Sequence, residues 1–103
     1  MKRDYTFYVY ILTNAKKTVL YIGMTNSLKR MSDEHYYQEN PKSFSARYKC
    51  HHLIYYEIFQ YIYDAMARET QLKKWSRKKK EALIKIKNPN WNSLNSNFVY
   101  TDE

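Results

Sequence analysis

Two tyrosines, a glycine and a glutamate are the residues of this chain whose types and positions could carry chemistry on one substrate. Tyr10 belongs to the apolar run "YTFYVYIL", Tyr21 and Gly23 to a second run, "TVLYIGM", and Glu69 to the later stretch "YIYDAMARETQLKKW". Gly23 is the only glycine in the chain. On a strand it marks either a local turn or a place where a ligand's backbone or phosphate can approach closely. Glu69 falls within the apolar spacing set by Ile62, Ala65, Met66 and Leu72, and a carboxylate there requires a partner because unpaired burial costs several kcal/mol. That partner is either a cation in a structural ion pair or a metal ion at the rim of a cleft. A third element is the basic run "QLKKWSRKKKEALIKIK", with Lys73, Lys74, Arg77 and Lys78, which is either a solvated face or a phosphate-binding one. Tyrosines in strands are usually packing residues. Taken together, the phenols, the glycine, the misplaced carboxylate and the cations describe a candidate phosphodiester site.

These residues need elements to position them. The two apolar runs joined by "NAKK" predict a β-hairpin. Alternation places Val9 and Ile11 on one face of the first strand and Tyr8 and Tyr10 on the other; in the second strand Leu20 and Ile22 oppose Val19, Tyr21 and Gly23. One face is aliphatic and the other rich in phenols. A helix follows in "TNSLKRMSDEHYYQ", capped by Asn26 or Ser27, with Leu28, Met31 and His35 along one side. "HLIYYEIF" reads as a third strand, the chain turns helical from Tyr61, and another helix follows Ser76 until Pro89 prevents its extension. The order β-β-α-β-α-α predicts an α+β fold, a small three-stranded mixed sheet flanked by helices. Its domain is expected to span residues 1–95, with a short tail at 96–103.

Composition narrows the function. The 103 residues suit a single core, and 44% hydrophobic content with 12 tyrosines marks a folded chain. No run approaches the length of a membrane span, and a lone Cys50 excludes an internal disulfide framework and a cysteine-based zinc site. A cytoplasmic location with no membrane association is expected. Net charge is +8, from 18 Lys and Arg against 10 Asp and Glu.

The arrangement resembles the GIY-YIG nuclease superfamily, and specifically its small stand-alone bacterial members. The first motif is Tyr8-Val9-Tyr10, with Tyr8 at the nominal glycine, and the second is Tyr21-Ile22-Gly23. The resemblance continues through "TNSLKR", "EH", "YYE", "ARETQLKKWSRKKKEALI" and "NPNW". It implies a metal-dependent endonuclease that hydrolyses phosphodiester bonds in DNA with one divalent ion, Mg²⁺ or Mn²⁺, on nicked, branched or damaged structures of the kind repair acts on. RNA is a compatible substrate. Recognition would rest on nucleic-acid shape or on a protein partner for targeting. Carried over, Glu69 becomes the metal ligand. Tyr10 and Tyr21 border the scissile phosphate, one of them as general base or water-positioning group. His35 matches a histidine near the site, and Asn88 a polar residue near the C-terminal end. Gly23 would keep the sheet face open to the phosphate.

One position departs from the pattern. The superfamily carries an arginine on the first helix that stabilises charge on the phosphate, and that position is Met31 here. Its neighbour Arg30 is rotated about 100° around the helix, with Lys29 and Arg47 as other candidate cations. The alternative reading is therefore a catalytically impaired nucleic-acid-binding module, in which the basic run grips phosphates and Trp75 stacks on bases.

Overall fold

A computed structural model of the chain describes residues 5–37 and 48–95, with side chains at all of these except 34–37. The predicted tail at 96–103 and most of the loop before the third strand lie outside the described residues. Three strands, β1 (Phe7–Thr13), β2 (Leu20–Thr25) and β3 (His52–Phe59), and three helices, α1 (Leu28–Tyr37), α2 (Ile62–Lys74) and α3 (Arg77–Lys87), follow the predicted order.

The sheet order is β2-β1-β3, and both pairings are antiparallel. This corrects the expectation of a mixed sheet. Strands β2 and β3 run in the same direction, but β1 lies between them, so no parallel ladder forms. The hairpin needs no glycine. Asn14 Oδ1 accepts hydrogen bonds from the Thr18 and Val19 amides at 2.8 and 3.0 Å, and Lys17 takes the left-handed position at φ 59°.

Alternation divides the sheet as the sequence predicts. Val9, Ile11 and Ile22 form one cluster with Ala65 and Leu72 of α2 and Ile84 of α3. Tyr10 and Leu12 form the other with Leu28 and Met31 of α1, Cys50 and Leu53, flanked by Tyr8, Tyr21 and Tyr56. An irregularity between Ile11 and Leu12 re-phases β3. Ile54 and Tyr55, consecutive in sequence, therefore both join the aliphatic cluster. A bulge does this by leaving one residue unopposed, which flips the alternation beyond it.

Helix ends are set locally. Ser27 is the N-cap of α1, its Oγ accepting from the Arg30 amide at 3.1 Å, and Ser76 caps α3 by accepting from the Lys79 amide at 3.2 Å. Asn88 ends α3.

Candidate active site

Gly23 pairs with Tyr10 across the hairpin. Gly23 does not have a positive φ, so this position does not exist for conformational freedom. It exists for space. A Cβ built on Gly23 would lie 2.5 Å from Tyr10 Cζ and overlap its hydroxyl. The expectation that Gly23 leaves the face open to a phosphate is thus corrected: the phenol of Tyr10 fills the room, and Tyr10 is only 4% exposed. Beside it stands Tyr21, half-buried, with ring centroids 6.3 Å apart. Of the two phenols, Tyr21 is the one with surface to offer a substrate.

Met31 is 2% exposed and packs in the same cluster as Tyr10, Leu28, Cys50 and Leu53. Arg30 lies on the exposed side of α1, its guanidinium donating to Asn26 Oδ1 at 2.6 Å, and Lys29 pairs with Asp33 at 3.1 Å. The backbone of His35 is in α1, but its side chain lies outside the described residues, as does Arg47.

Helix α2 covers the aliphatic face, opposite the phenols, with Ala65 and Leu72 buried. The apolar stripe predicted for it is narrower than expected, since Ile62 and Met66 are 40% and 45% exposed. Two charged residues occupy its flanks. Arg68 turns toward β3, where its Nε and Nη2 donate to the two oxygens of Glu57 at 2.8 and 2.9 Å. Glu69, about 100° further round the helix, turns toward the opposite flank, that of β2. Its carboxylate pairs with Lys73 at 3.2 Å and is 23% exposed.

The Arg68–Glu57 pair was not legible in the sequence. Tyr55 completes it, donating its hydroxyl to Glu57 Oε2 at 2.5 Å. Burial alone would raise the Glu57 carboxyl, but the hydrogen bonds from Arg68 and Tyr55 outweigh it and hold the group below the ordinary carboxylate value. Burial and the neighbouring carboxylate push the Tyr55 phenol well above its usual range. The available signal was the alternation that puts Tyr55 and Glu57 on one face, but which face that is depends on the bulge, and the bulge on pairing.

The basic run divides into occupied and available groups. Arg77 donates from Nη1 and Nη2 to the carbonyls of Thr18 and Lys17 at 2.7 and 3.0 Å and from Nε to Glu81 at 2.8 Å. In this structure it clamps α3 to the hairpin. Asn88 is engaged with backbone as well. Its amide nitrogen donates to Ile54 O at 2.8 Å and Asn92 O at 2.9 Å, while its oxygen accepts from the Asn92 amide, so the side chain brackets the C-terminal segment to β3. The Trp75 ring holds two cations against it, Lys79 Nζ at 4.3 Å and the Arg68 guanidinium at 5.1 Å from its centroid, and is not a bare stacking platform. Lys74 and Lys78 are exposed.

The GIY-YIG catalytic domain model matches residues 6–82, a span that holds both tyrosine motifs, Met31 and Glu69. The chain belongs to the GIY-YIG family. This is a family of nucleases, and its members generally use divalent metal ions. A UPF0213 protein of Natronomonas pharaonis is 39% identical over 77 residues, covering 75% of this chain and 88% of that one. The solution NMR structure of a UPF0213 protein from Bacillus halodurans is similar with a TM-score of 0.54 and 28% identity, covering 94% of this chain and 99% of that chain.

A divalent ion fits Glu69 in one manner only. No group of three or more His, Cys, Asp or Glu side chains gathers among the described residues. Mg²⁺ is commonly held by one or two carboxylates while keeping several waters. The half-open Glu69 carboxylate suits such a hydrated ion, in competition with Lys73.

Proposed function

We propose that this GIY-YIG protein is a metal-dependent endonuclease of the cytoplasm that hydrolyses phosphodiester bonds in DNA, on branched or damaged structures, through a domain spanning residues 1–95. The observation that carries this reading is the Tyr10–Tyr21 ring pair beside Gly23, inside the span that matches the family's catalytic domain. Tyr21 faces the substrate and positions the attacking water; Tyr10, locked over Gly23, holds Tyr21 in place. Glu69, on the β2 flank of α2, would hold the divalent ion, and a phosphate lying over the β2 edge could meet both it and Tyr21; the bound ion supplies Lewis-acid stabilisation of charge on that phosphate. Lys74 and Lys78 bind the nucleic-acid backbone.

A second reading has its own observation. Met31 replaces the arginine that the family pattern places there and is sealed in an apolar cluster. Losing one such stabilising group lowers turnover by about 10²–10³-fold, which would leave a nucleic-acid-binding module.

Purified protein incubated with supercoiled plasmid and with branched DNA, in Mg²⁺, Mn²⁺ or chelator, separates the two. Metal-dependent nicking that disappears in Glu69→Ala is the expected result. Cleavage by Met31→Arg alone, or binding without cleavage by every variant, establishes the binding module instead.

A further inference from the structure

A cavity of about 340 Å³ opens at the hairpin end of the sheet. Its walls include Asn14, Lys17, His52, Trp91, Asn92 and Ser93. Thr13 and His52 pair across β1 and β3, and the hairpin turn and the segment after α3 supply the rest of the lining. Among the described residues, none that lines it is a carboxylate.

Two of its walls have unusual backbone. Lys17 and Trp91 both adopt the left-handed region, at φ 59° and 54°. Non-glycine residues hold that conformation only when their surroundings fix it. Arg77 supplies the fixing contacts, donating to the Lys17 and Thr18 carbonyls and lying 5.8 Å from the Trp91 ring centroid. The Lys17 ammonium donates to Asn90 O at 3.1 Å and, with three protons, retains further donor capacity.

Burial lowers the proton affinity of His52, and repulsion from His51 and Lys17 lowers it further. Arg77 stands beside these walls through its contacts with Lys17 and Trp91, its charge offset by Glu81. The cavity offers the Lys17 ammonium and the side chains of His52, Asn92 and Ser93 on its walls, a set of donors complementary to an anion.

We propose that this cavity binds a phosphate group, with Lys17 and His52 as its ligands and the Asn92 side chain as a further donor. Nothing in this proposal depends on turnover at the phenol face, so either can fail alone. The chemistry is shared by a terminal phosphate monoester and by a backbone phosphodiester.

The test is a ¹H–¹⁵N NMR titration of the full chain with inorganic phosphate, with a short 5′-phosphorylated oligonucleotide, and with the same oligonucleotide bearing a free 5′-hydroxyl, each against matched chloride. The expected result is saturable shifts centred on residues 13–17, 52 and 91–93, with the His52 imidazole titrating at higher pH when phosphate is present. Lys17→Gly, which suits the left-handed backbone, should weaken that binding about tenfold, the scale of one charge-assisted hydrogen bond. His52→Gln should weaken it as well. Preference for the phosphorylated oligonucleotide assigns the site to a terminal phosphate, and equal shifts with both oligonucleotides assign it to the backbone. Shifts no greater than in chloride, or shifts unchanged in Lys17→Gly while the spectrum remains folded, overturn the proposal.

Discussion

The two faces of the sheet are built from the same three strands and are stabilised differently. The face under α2 and α3 is aliphatic at its centre and places its charges on the flanks, with Arg68 toward Glu57 and Glu69 toward the β2 side. The face under α1 has phenols at its centre, with Met31 packed among them. On the first face, polar chemistry is displaced to the rim by packing. On the second, Gly23 allows a polar ring to be packed inside. The difference shows that the apolar residues of a small sheet can be arranged to hold a tyrosine hydroxyl deep in the fold without opening the fold to solvent.

The largest expected effect breaks the phenol face. If Tyr21 meets the substrate and Tyr10 only holds it, Tyr21→Phe should lower the single-turnover cleavage rate by about 10²–10⁴-fold, the range for a positioned proton-transfer group. Tyr10→Phe should cost less. Equal losses would place both phenols in contact with the reacting atoms.

Gly23→Ala tests the packing of that face directly. Its Cβ would collide with the Tyr10 ring, so unfolding in urea should show a loss of about 1–3 kcal/mol, the usual cost of overpacking. In a Tyr10→Leu background the same substitution should cost clearly less. An undiminished cost would mean that the glycine serves the backbone.

On the aliphatic face, Arg68→Ala leaves Glu57 without its cation. Side-chain exposures of 23% and 16% put this pair short of full burial, so the expected loss is about 2 kcal/mol, below the 3–5 kcal/mol of deeply buried pairs. The pH dependence has a definite sign. Glu57 is held below its ordinary value in the folded chain, so its contribution is present above the unfolded carboxylate range and disappears as pH falls through the folded value. The difference between wild type and Arg68→Ala should therefore be greatest near neutrality and shrink in acid, as urea midpoints across that range would show. Ser76→Ala, which removes only the cap of α3, should cost about 1 kcal/mol at every pH.

Much of this molecule is legible in the order of its amino acids. The hairpin, the third strand over "HLIYYEIF", the helix that begins after Tyr61 and the capping serine at position 76 each depend on local signals: alternation, turn residues and caps. The division of the hairpin into aliphatic and phenolic faces follows from the two-residue period of a strand. The motif tyrosines, Glu69 and Met31 are equally visible.

What the sequence alone determined was therefore the set of elements, their order, the faces of the first two strands and the residues that carry the family pattern. Tertiary structure decided which of those residues has room to act. It placed the Tyr10 ring in the space left by Gly23, re-phased β3 so that Glu57 meets Arg68, turned Arg77 into a clamp on the hairpin and engaged Asn88 with backbone. Each of these depends on groups far apart in the chain. Local periodicity follows from the geometry of one backbone segment, whereas the partner of a buried polar group is fixed only when separate segments are packed against each other.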